Sequence, residues 1–518
     1  MPNYITWRSP GWWLALVLAA FSGLAAGLAF APADLPALAW VALSPALLLI
    51  LRAHRPRRAF AIGFIAGFAY YLYTCVYFRA LGDTVWLLSS AILALYWGLF
   101  AFLAWWYSPE RDRWWGLLLL PFLYTGIERI KELGFLGYPL ASLGYSQDGT
   151  LVPWAAVGGI YLCSALLIAA NLLLASLVMA RSSCQWGKAT LASAGLLAIL
   201  LLSAPLGDLG KPTPSRTDLL REFIRVQVIQ SNPTMHEVAG VRMYGDPKES
   251  WEELRPMLEE ALASEADVIL LPETASPRLA KIETAPELLW TAEHARSAGK
   301  WVIWGISVRE SDGIYNSLLV YSPEGKLAGR YTKHRLVSFG EYLPWRDQLE
   351  WLWKLYPVRE FDYAAGPEPA PLDFAETKGG MLVCFEAIFP EYALSLAHQG
   401  AQVLLVVTND GWTPYTGLAA QNLQASLFRS YETGLPVARA ALTGISAIVA
   451  PELGLLEKAP YGQRLALEAS LPLGAAPTPY LKGGWLLAPV SAWLVVVCLL
   501  LAWGEALLKR HRRLTDER

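Results

Sequence analysis

The chain has 518 residues, 55% of them hydrophobic and only 17% charged, with a formal net charge of -2. So apolar a composition excludes an ordinary soluble protein and calls for membrane spans. The near-neutral charge excludes the basic field of a nucleic-acid binder, and five cysteines, one of them in the polar half, leave no disulfide framework.

In chain order, residues 1–209 read as a transmembrane domain of seven apolar segments, near 12–30, 35–51, 59–78, 85–107, 114–127, 153–180 and 189–206. A hydrocarbon core of ~30 Å takes about 20 residues at ~1.5 Å each. The fifth segment is curtailed by Glu128, Arg129, Lys131 and Glu132, which follow it directly. Residues 220–475 carry frequent charges and form a soluble domain, inserted before a last span, 484–506, and a basic tail, 507–518.

Short cytoplasmic loops collect lysine and arginine. Arg52, Arg55, Arg57 and Arg58 follow the second segment, Arg111 and Arg113 the fourth, and Arg181 and Lys188 the sixth. Lys509, Arg510, Arg512 and Arg513 follow the last. Eight spans place all four clusters on one side, so both termini are expected in the cytoplasm and residues 210–480 outside. The first segment has no clear small-residue cleavage site and is followed directly by another, so it reads as an anchor.

The soluble block alternates strands and helices. Phe223–Ile229, Ala266–Leu271, Trp301–Val308, Met381–Val383 and Val403–Thr408 are apolar and β-prone, Glu249–Glu265 is an amphipathic helix, and 318–331 is a hairpin around Pro323-Glu324-Gly325. Reactive groups in α/β folds gather at strand ends. Glu273 and Cys384 fall at two such ends, and Lys333 follows the hairpin. A lone thiol in an exported domain is either a buried structural cysteine or one kept for its chemistry. A thiol nucleophile needs a base, for which a partly desolvated Glu273 is suited, and a fixed cation facing the oxyanion, which Lys333 can supply.

Three stretches carry a resemblance: Leu271-Pro272-Glu273; Tyr331-Thr332-Lys333-His334-Arg335 through Phe339-Gly340-Glu341-Tyr342-Leu343-Pro344; and Cys384-Phe385-Glu386 through Pro390. They resemble the signature blocks of the nitrilase (carbon-nitrogen hydrolase) superfamily. With the inserted topology, Phe30-Ala31-Pro32, Gly137-Tyr138-Pro139 and Gly144-Tyr145-Ser146-Gln147, the chain is similar to the apolipoprotein N-acyltransferase family. The resemblance implies an αββα sandwich on the periplasmic side of a bacterial inner membrane. It makes Cys384 the nucleophile, Glu273 the base, Lys333 the oxyanion stabiliser, Glu341 and Glu386 supporting carboxylates, and Trp412, Phe385 and Tyr342 substrate-binding residues.

The implied reaction is a two-step acyl transfer. A phospholipid, phosphatidylethanolamine at sn-1, acylates Cys384, and the amine of a diacylglyceryl-cysteine apolipoprotein takes the chain from that thioester. The acyltransferase is expected to work as a monomer, with no cofactor, metal or nucleic acid. A membrane-tethered amidase or nitrilase would use the same three residues with water as acceptor, whereas a transporter would need charged residues within its spans. The apolar stretch Trp345, Trp351, Leu352, Trp353 and Tyr356 is either a lid or packing on the sandwich. Four places depart from the family pattern: the segment around Pro233, Gly411-Trp412-Thr413, Asn422 in place of a usual histidine, and Ala441-Leu442-Thr443-Gly444, which lacks an expected asparagine.

Overall fold

A computed structural model describes residues 11–147, 151–180, 183–209, 222–238, 241–244, 246–350, 361–413, 415–474 and 477–516. The chain divides into two compact units, Met1–Gly210 with Lys482–Arg518, and Lys211–Leu481.

The first unit is helical: α1 (Trp12–Gly27), α2 (Ser44–Leu51), α3 (Pro56–Thr74), α4 (Asp83–Trp106), α5 (Gly116–Lys131), α6 (Val152–Met179), α7 (Cys184–Leu209) and a C-terminal helix, Leu487–Asp516. Each predicted apolar segment overlaps one of these helices. Among the described residues, four stretches are long and apolar enough to cross a membrane: Asp83–Trp106, Pro153–Met179, Cys184–Ser203 and Gly484–Arg512. Small residues let the helix backbones close up. A Cβ on Gly23 of α1 would stand 1.8 Å from the Ala66 carbonyl oxygen of α3, and one on Gly126 of α5 would stand 2.2 Å from that of Ser491.

Two sets of loops gather separately. Arg52, after α2, pairs with Glu110, after α4, at 3.5 Å; Trp186 of α7 donates to Glu110 at 2.8 Å; Arg113 pairs with Glu505 of the C-terminal helix at 2.5 Å. In the other set, Ala33 N donates to the Tyr73 hydroxyl at 3.0 Å, and Trp40 Nε1 donates to Gln147 at 3.0 Å.

The charges after the fifth segment do not end its helix. α5 continues through Lys131, and Glu128, Lys131 and Glu132 are buried. They hold the chain that follows: Leu143 N donates to Glu128 at 2.7 Å, and Lys131 Nζ donates to the Leu140 carbonyl at 3.2 Å and to Ser142 at 3.3 Å. Buried charge persists where such donors and acceptors replace water. A count of formal charges within the spans misses this cluster, because it lies at the end of a segment.

The second unit contains β1 (Phe223–Gln230), β2 (Met235–Val238), β3 (Val241–Tyr244), α8 (Pro247–Ala263), β4 (Val268–Leu270), β5 (Ser276–Ala280), α9 (Pro286–Ala298), β6 (Trp301–Arg309), β7 (Ile314–Tyr321), β8 (Leu327–Thr332), β9 (Leu372–Phe374), β10 (Thr377–Val383), α10 (Pro390–His398), β11 (Val403–Thr408), α11 (Thr416–Thr433), β12 (Val437–Ala441), β13 (Ala447–Ala450), β14 (Gly454–Lys458) and β15 (Leu465–Pro472). One sheet runs β15-β1-β4-β6-β7-β8 with β5 also on β6; the other runs β14-β13-β12-β11-β10-β9. Their facing side chains share one core: Val226, Leu270, Ile303 and Leu318 from the first, Met381, Val383, Leu405 and Ile448 from the second. Each such side chain contributes about 1.5–3 kcal/mol by burial. α8 and α9 cover the outer face of the first sheet through Leu254, Leu258 and Leu288. α11 covers the second through Ala419 and Leu423, and a Cβ on Gly380 of β10 would stand 3.1 Å from Leu396 of α10. The result is an αββα sandwich.

Candidate active site

Glu273 stands in a gap between two strands that both run parallel on β6. β4 pairs with Trp301–Ile303, the chain leaves the sheet, and β5 resumes pairing at Ile306. Leu271 N donates to the Ile303 carbonyl and Ala275 N to the Gly305 carbonyl, each at 2.9 Å, so both ends of the turn are pinned. Gly305 admits it: a Cβ there would stand 2.2 Å from the Pro272 carbonyl oxygen. The turn leaves Glu273 buried and aimed at β7, where Asn316 Nδ2 donates to its Oε1 at 2.7 Å.

Lys333 follows β8 and is 1% exposed. Its backbone N donates to the Asn316 carbonyl at 2.8 Å, which fixes the side chain's origin. Nζ then donates to Glu341 Oε1 at 2.9 Å and to Glu273 Oε1 at 3.3 Å. Asn316 Nδ2 also reaches Glu341 Oε1, at 3.1 Å, and Val337 N donates to Glu341 Oε2 at 2.8 Å. One ammonium and one amide are thus shared by two carboxylates.

Cys384 begins a 3-10 turn, Cys384–Ile388, at the end of β10 and has φ +53, a conformation few side-chain-bearing residues adopt. Such strain persists only where surroundings enforce it. Glu386, fully buried, does so: Oε2 accepts from Val383 N at 2.8 Å, and Oε1 accepts from the Tyr331 hydroxyl at 2.7 Å, His334 N at 2.7 Å and Arg335 N at 3.0 Å. This carboxylate joins the backbone around Lys333 to the turn bearing Cys384. Cys384 stays half-buried.

Burial acts against the Lys333 ammonium, but Glu273 and Glu341 overcome it and hold the group well above the usual lysine range. Burial, reinforced by Glu341, pushes Glu273 up, against Lys333 and Asn316. The Cys384 thiol is pushed up to about 12, by burial first and by Glu273 next, while Lys333 opposes; Asp410 raises it further and the Thr408 hydroxyl lowers it. At neutral pH the resting site therefore holds a thiol beside a fixed cation, with a carboxyl group whose proton affinity is raised.

The structure brings together Glu273, Lys333, Cys384, Glu341 and Glu386. Phe385 adjoins Cys384 in the turn and packs on Phe389 with ring centroids 5.0 Å apart. The Tyr342 hydroxyl bonds Ser338 at 3.0 Å, and Trp412, after β11, is 38% exposed. His334, beside Lys333, turns its ring to the Gly366 carbonyl at 3.0 Å and to Tyr392. Trp345 is exposed, whereas Trp351, Leu352, Trp353 and Tyr356 lie outside the described residues. Sequence reasoning missed Asn316 and Tyr331. Asn316 left one signal, an amide inside the apolar run Ile314–Leu319, which once buried must find a partner. Among the described residues no cluster of side chains suits a metal ion.

Two family models match the chain, "Carbon-nitrogen hydrolase" over residues 225–476 and "Apolipoprotein N-acyltransferase N-terminal domain" over residues 22–173. A relative named apolipoprotein N-acyltransferase from Geobacter metallireducens is 29% identical over 510 residues, covering 93% of this chain and 93% of the relative. Another of that name, from Pseudomonas syringae pv. tomato, is 31% identical over 528 residues, covering 96% and 97%. A solved carbon-nitrogen hydrolase of Helicobacter pylori superposes with a TM-score of 0.36 at 18% identity, over 53% of this chain and 94% of that one.

Proposed function

The chain belongs to the apolipoprotein N-acyltransferase family, and on that premise we propose that it transfers an acyl chain from a phospholipid, through a Cys384 thioester, to the amino terminus of a diacylglyceryl-cysteine apolipoprotein. The carrying observation is the convergence of a carboxylate, an ammonium and a thiol from three separate strand ends. Phosphatidylethanolamine, acylated at sn-1, is the donor. The enzyme is a monomer of the bacterial inner membrane, with eight crossings, both termini cytoplasmic and the α/β unit periplasmic.

In the first half-reaction Glu273 takes the Cys384 proton as sulfur attacks the ester carbonyl. The raised proton affinity of both groups suits a transfer made at the moment of attack rather than a standing thiolate. Lys333 faces the tetrahedral oxyanion. Collapse expels the lysophospholipid oxygen, which takes the proton back from Glu273, and leaves the thioester. In the second half-reaction the apolipoprotein amine attacks and gives its proton to Glu273; the C–S bond breaks as the amide forms, and Cys384 takes that proton back from Glu273 as it leaves. Both substrates are held in a bilayer by ~0.8 kcal/mol per buried methylene. Apolar helices before and after the α/β unit in the chain keep the enzyme in the same phase.

The test is intact mass measurement of the purified full chain after incubation with phosphatidylethanolamine. One acyl adduct is expected, absent from Cys384→Ser and discharged by a diacylglyceryl-cysteine peptide. Free fatty acid without an adduct would instead mark a hydrolase.

A further inference from the structure

Next to Cys384, at the end of the neighbouring strand, lies a second charged group that the reaction above does not use. β10 and β11 pair in parallel with Val383 opposite Val407, so Cys384 and Thr408 occupy neighbouring strand ends. Two residues on, Asp410 is 1% exposed, and every donor around it is buried. Its Oδ1 accepts from Asn422 Nδ2 of α11 at 2.7 Å and from the Thr408 hydroxyl at 3.2 Å; its Oδ2 accepts from Arg439 of β12 at 3.1 Å. Arg439 is held in turn by Ser426 at 3.1 Å and by the Ile445 carbonyl at 3.3 Å. A Cβ on Gly444 would stand 2.5 Å from Asp410 Oδ2, so the turn after β12 closes over the pair.

We propose that Asp410, Arg439 and Asn422 form a charge-balancing support that sets the ionisation of Cys384, acting through Thr408. The charged groups that act on the thiol are Glu273, Lys333 and Asp410. Glu341 and Glu386 lie one step further, on Lys333 and on the turn. From α11, Arg429 and Glu432 pair with each other at 2.7 Å.

An unbalanced Asp410 would oppose any negative charge on sulfur, in surroundings where charges act strongly. Arg439 cancels it. Asn422 and Arg439 together serve both carboxylate oxygens, so Thr408 can turn its single proton to sulfur as the thiolate develops. Asn422, singled out in the sequence as a departure, thereby gains a place: its amide supplies a donor that does not titrate. Asp410, Arg439 and Asn422 are positioning residues, not catalytic ones.

The inference rests on Cys384 as the nucleophile, but its test does not need acyl transfer. The full chain in detergent is alkylated with iodoacetamide between pH 7 and 9, and the rate at Cys384 is read by peptide mass spectrometry. Below its pKa the thiol reacts in proportion to its thiolate fraction, tenfold per pH unit. Arg439→Gln is expected to slow alkylation about tenfold and Asp410→Asn to speed it by a similar factor, each equal to about one unit. The double variant should return to within about twofold of the parent, and Arg439→Lys should stay near it, as charge is retained. Loss of packing alone cannot give opposite signs that cancel. Equal signs in the two single variants, or a double variant that keeps either shift, would overturn the proposal. Should Arg439→Gln not fold, Asp410→Asn against the double variant decides on the same terms. A missing acyl adduct with these shifts intact would count against the proposed reaction and leave the support standing.

Discussion

Lys333 carries two carboxylates on one ammonium, and that economy makes it hard to replace. A guanidinium spreads its charge over a planar fork and cannot sit 2.9 Å from Glu341 and 3.3 Å from Glu273 while facing a third, transient oxyanion. Lys333→Arg is therefore expected to lose about 10²-fold or more in turnover, the size seen when one oxyanion donor is removed, as measured by acyl transfer to a labelled peptide. Asn316 offers a finer test. Its amide favours the ionised form of Glu273, so Asn316→Ala should raise that group's pKa further. A base works only when ionised, so the acidic limb of the pH–rate profile moves to higher pH and activity above the limb is spared. A hydrogen bond to a charge is worth about 1.5–3 kcal/mol, which makes the shift about one unit or somewhat more. A profile that drops uniformly without moving would reduce Asn316 to a structural role. Glu273, Lys333 and Cys384 were readable in the sequence because each closes or follows an apolar strand run. Asn316, Tyr331 and Asp410 were not, because what they touch depends on which strands become neighbours.

At the level of elements, the interrupted edge where β4 gives way to β5 does the work of presenting Glu273. The sequence shows Leu271-Pro272-Glu273 as a strand end, but it hides the resumption of pairing at Ser276, and with it the role of Gly305. Gly305→Ala forces a methyl against the Pro272 carbonyl and the Glu273 backbone. Overpacking of this kind costs about 1–3 kcal/mol, seen as a lower melting temperature by tryptophan fluorescence, and acyl transfer should fall more than stability alone explains. A variant that melts lower with unchanged turnover would show that the turn tolerates displacement. The Val-, Ile- and Leu-rich strands β1, β4, β6, β10 and β11 were legible. β12 was not: Val437-Ala438-Arg439-Ala440-Ala441 centres on an arginine, which a core strand holds through its buried partners Asp410, Ser426 and the Ile445 carbonyl. α5 reads short for the same reason, since Glu128 and Lys131 look like solvent-facing ends until the chain at 140–143 is seen to satisfy them.

For the whole molecule, the question is how many times the chain crosses the bilayer. Among the described residues, four helical stretches are long enough by themselves. α1 and α5 have 16 residues each, about 24 Å at ~1.5 Å per residue, short of a ~30 Å core unless flanking turns contribute. The loops supply the better argument. Those after α2 and α4 meet each other, the first turn of α7 and the C-terminal helix through Arg52, Glu110, Trp186, Arg113 and Glu505. Those after α1, α3 and α5 meet through Ala33, Tyr73, Trp40 and Gln147. Connections that alternate between two gatherings are what the proposed eight crossings require, with the arginine-rich gathering on the proposed cytoplasmic side. Cysteines introduced one at a time in the full chain test this, with labelling of intact cells by a membrane-impermeant maleimide read by peptide mass spectrometry. Lys281→Cys is expected to label from outside, and Arg55→Cys and Arg510→Cys only after permeabilisation. Labelling of Arg55→Cys without Arg510→Cys would mean an odd number of crossings between them and would overturn the count of eight.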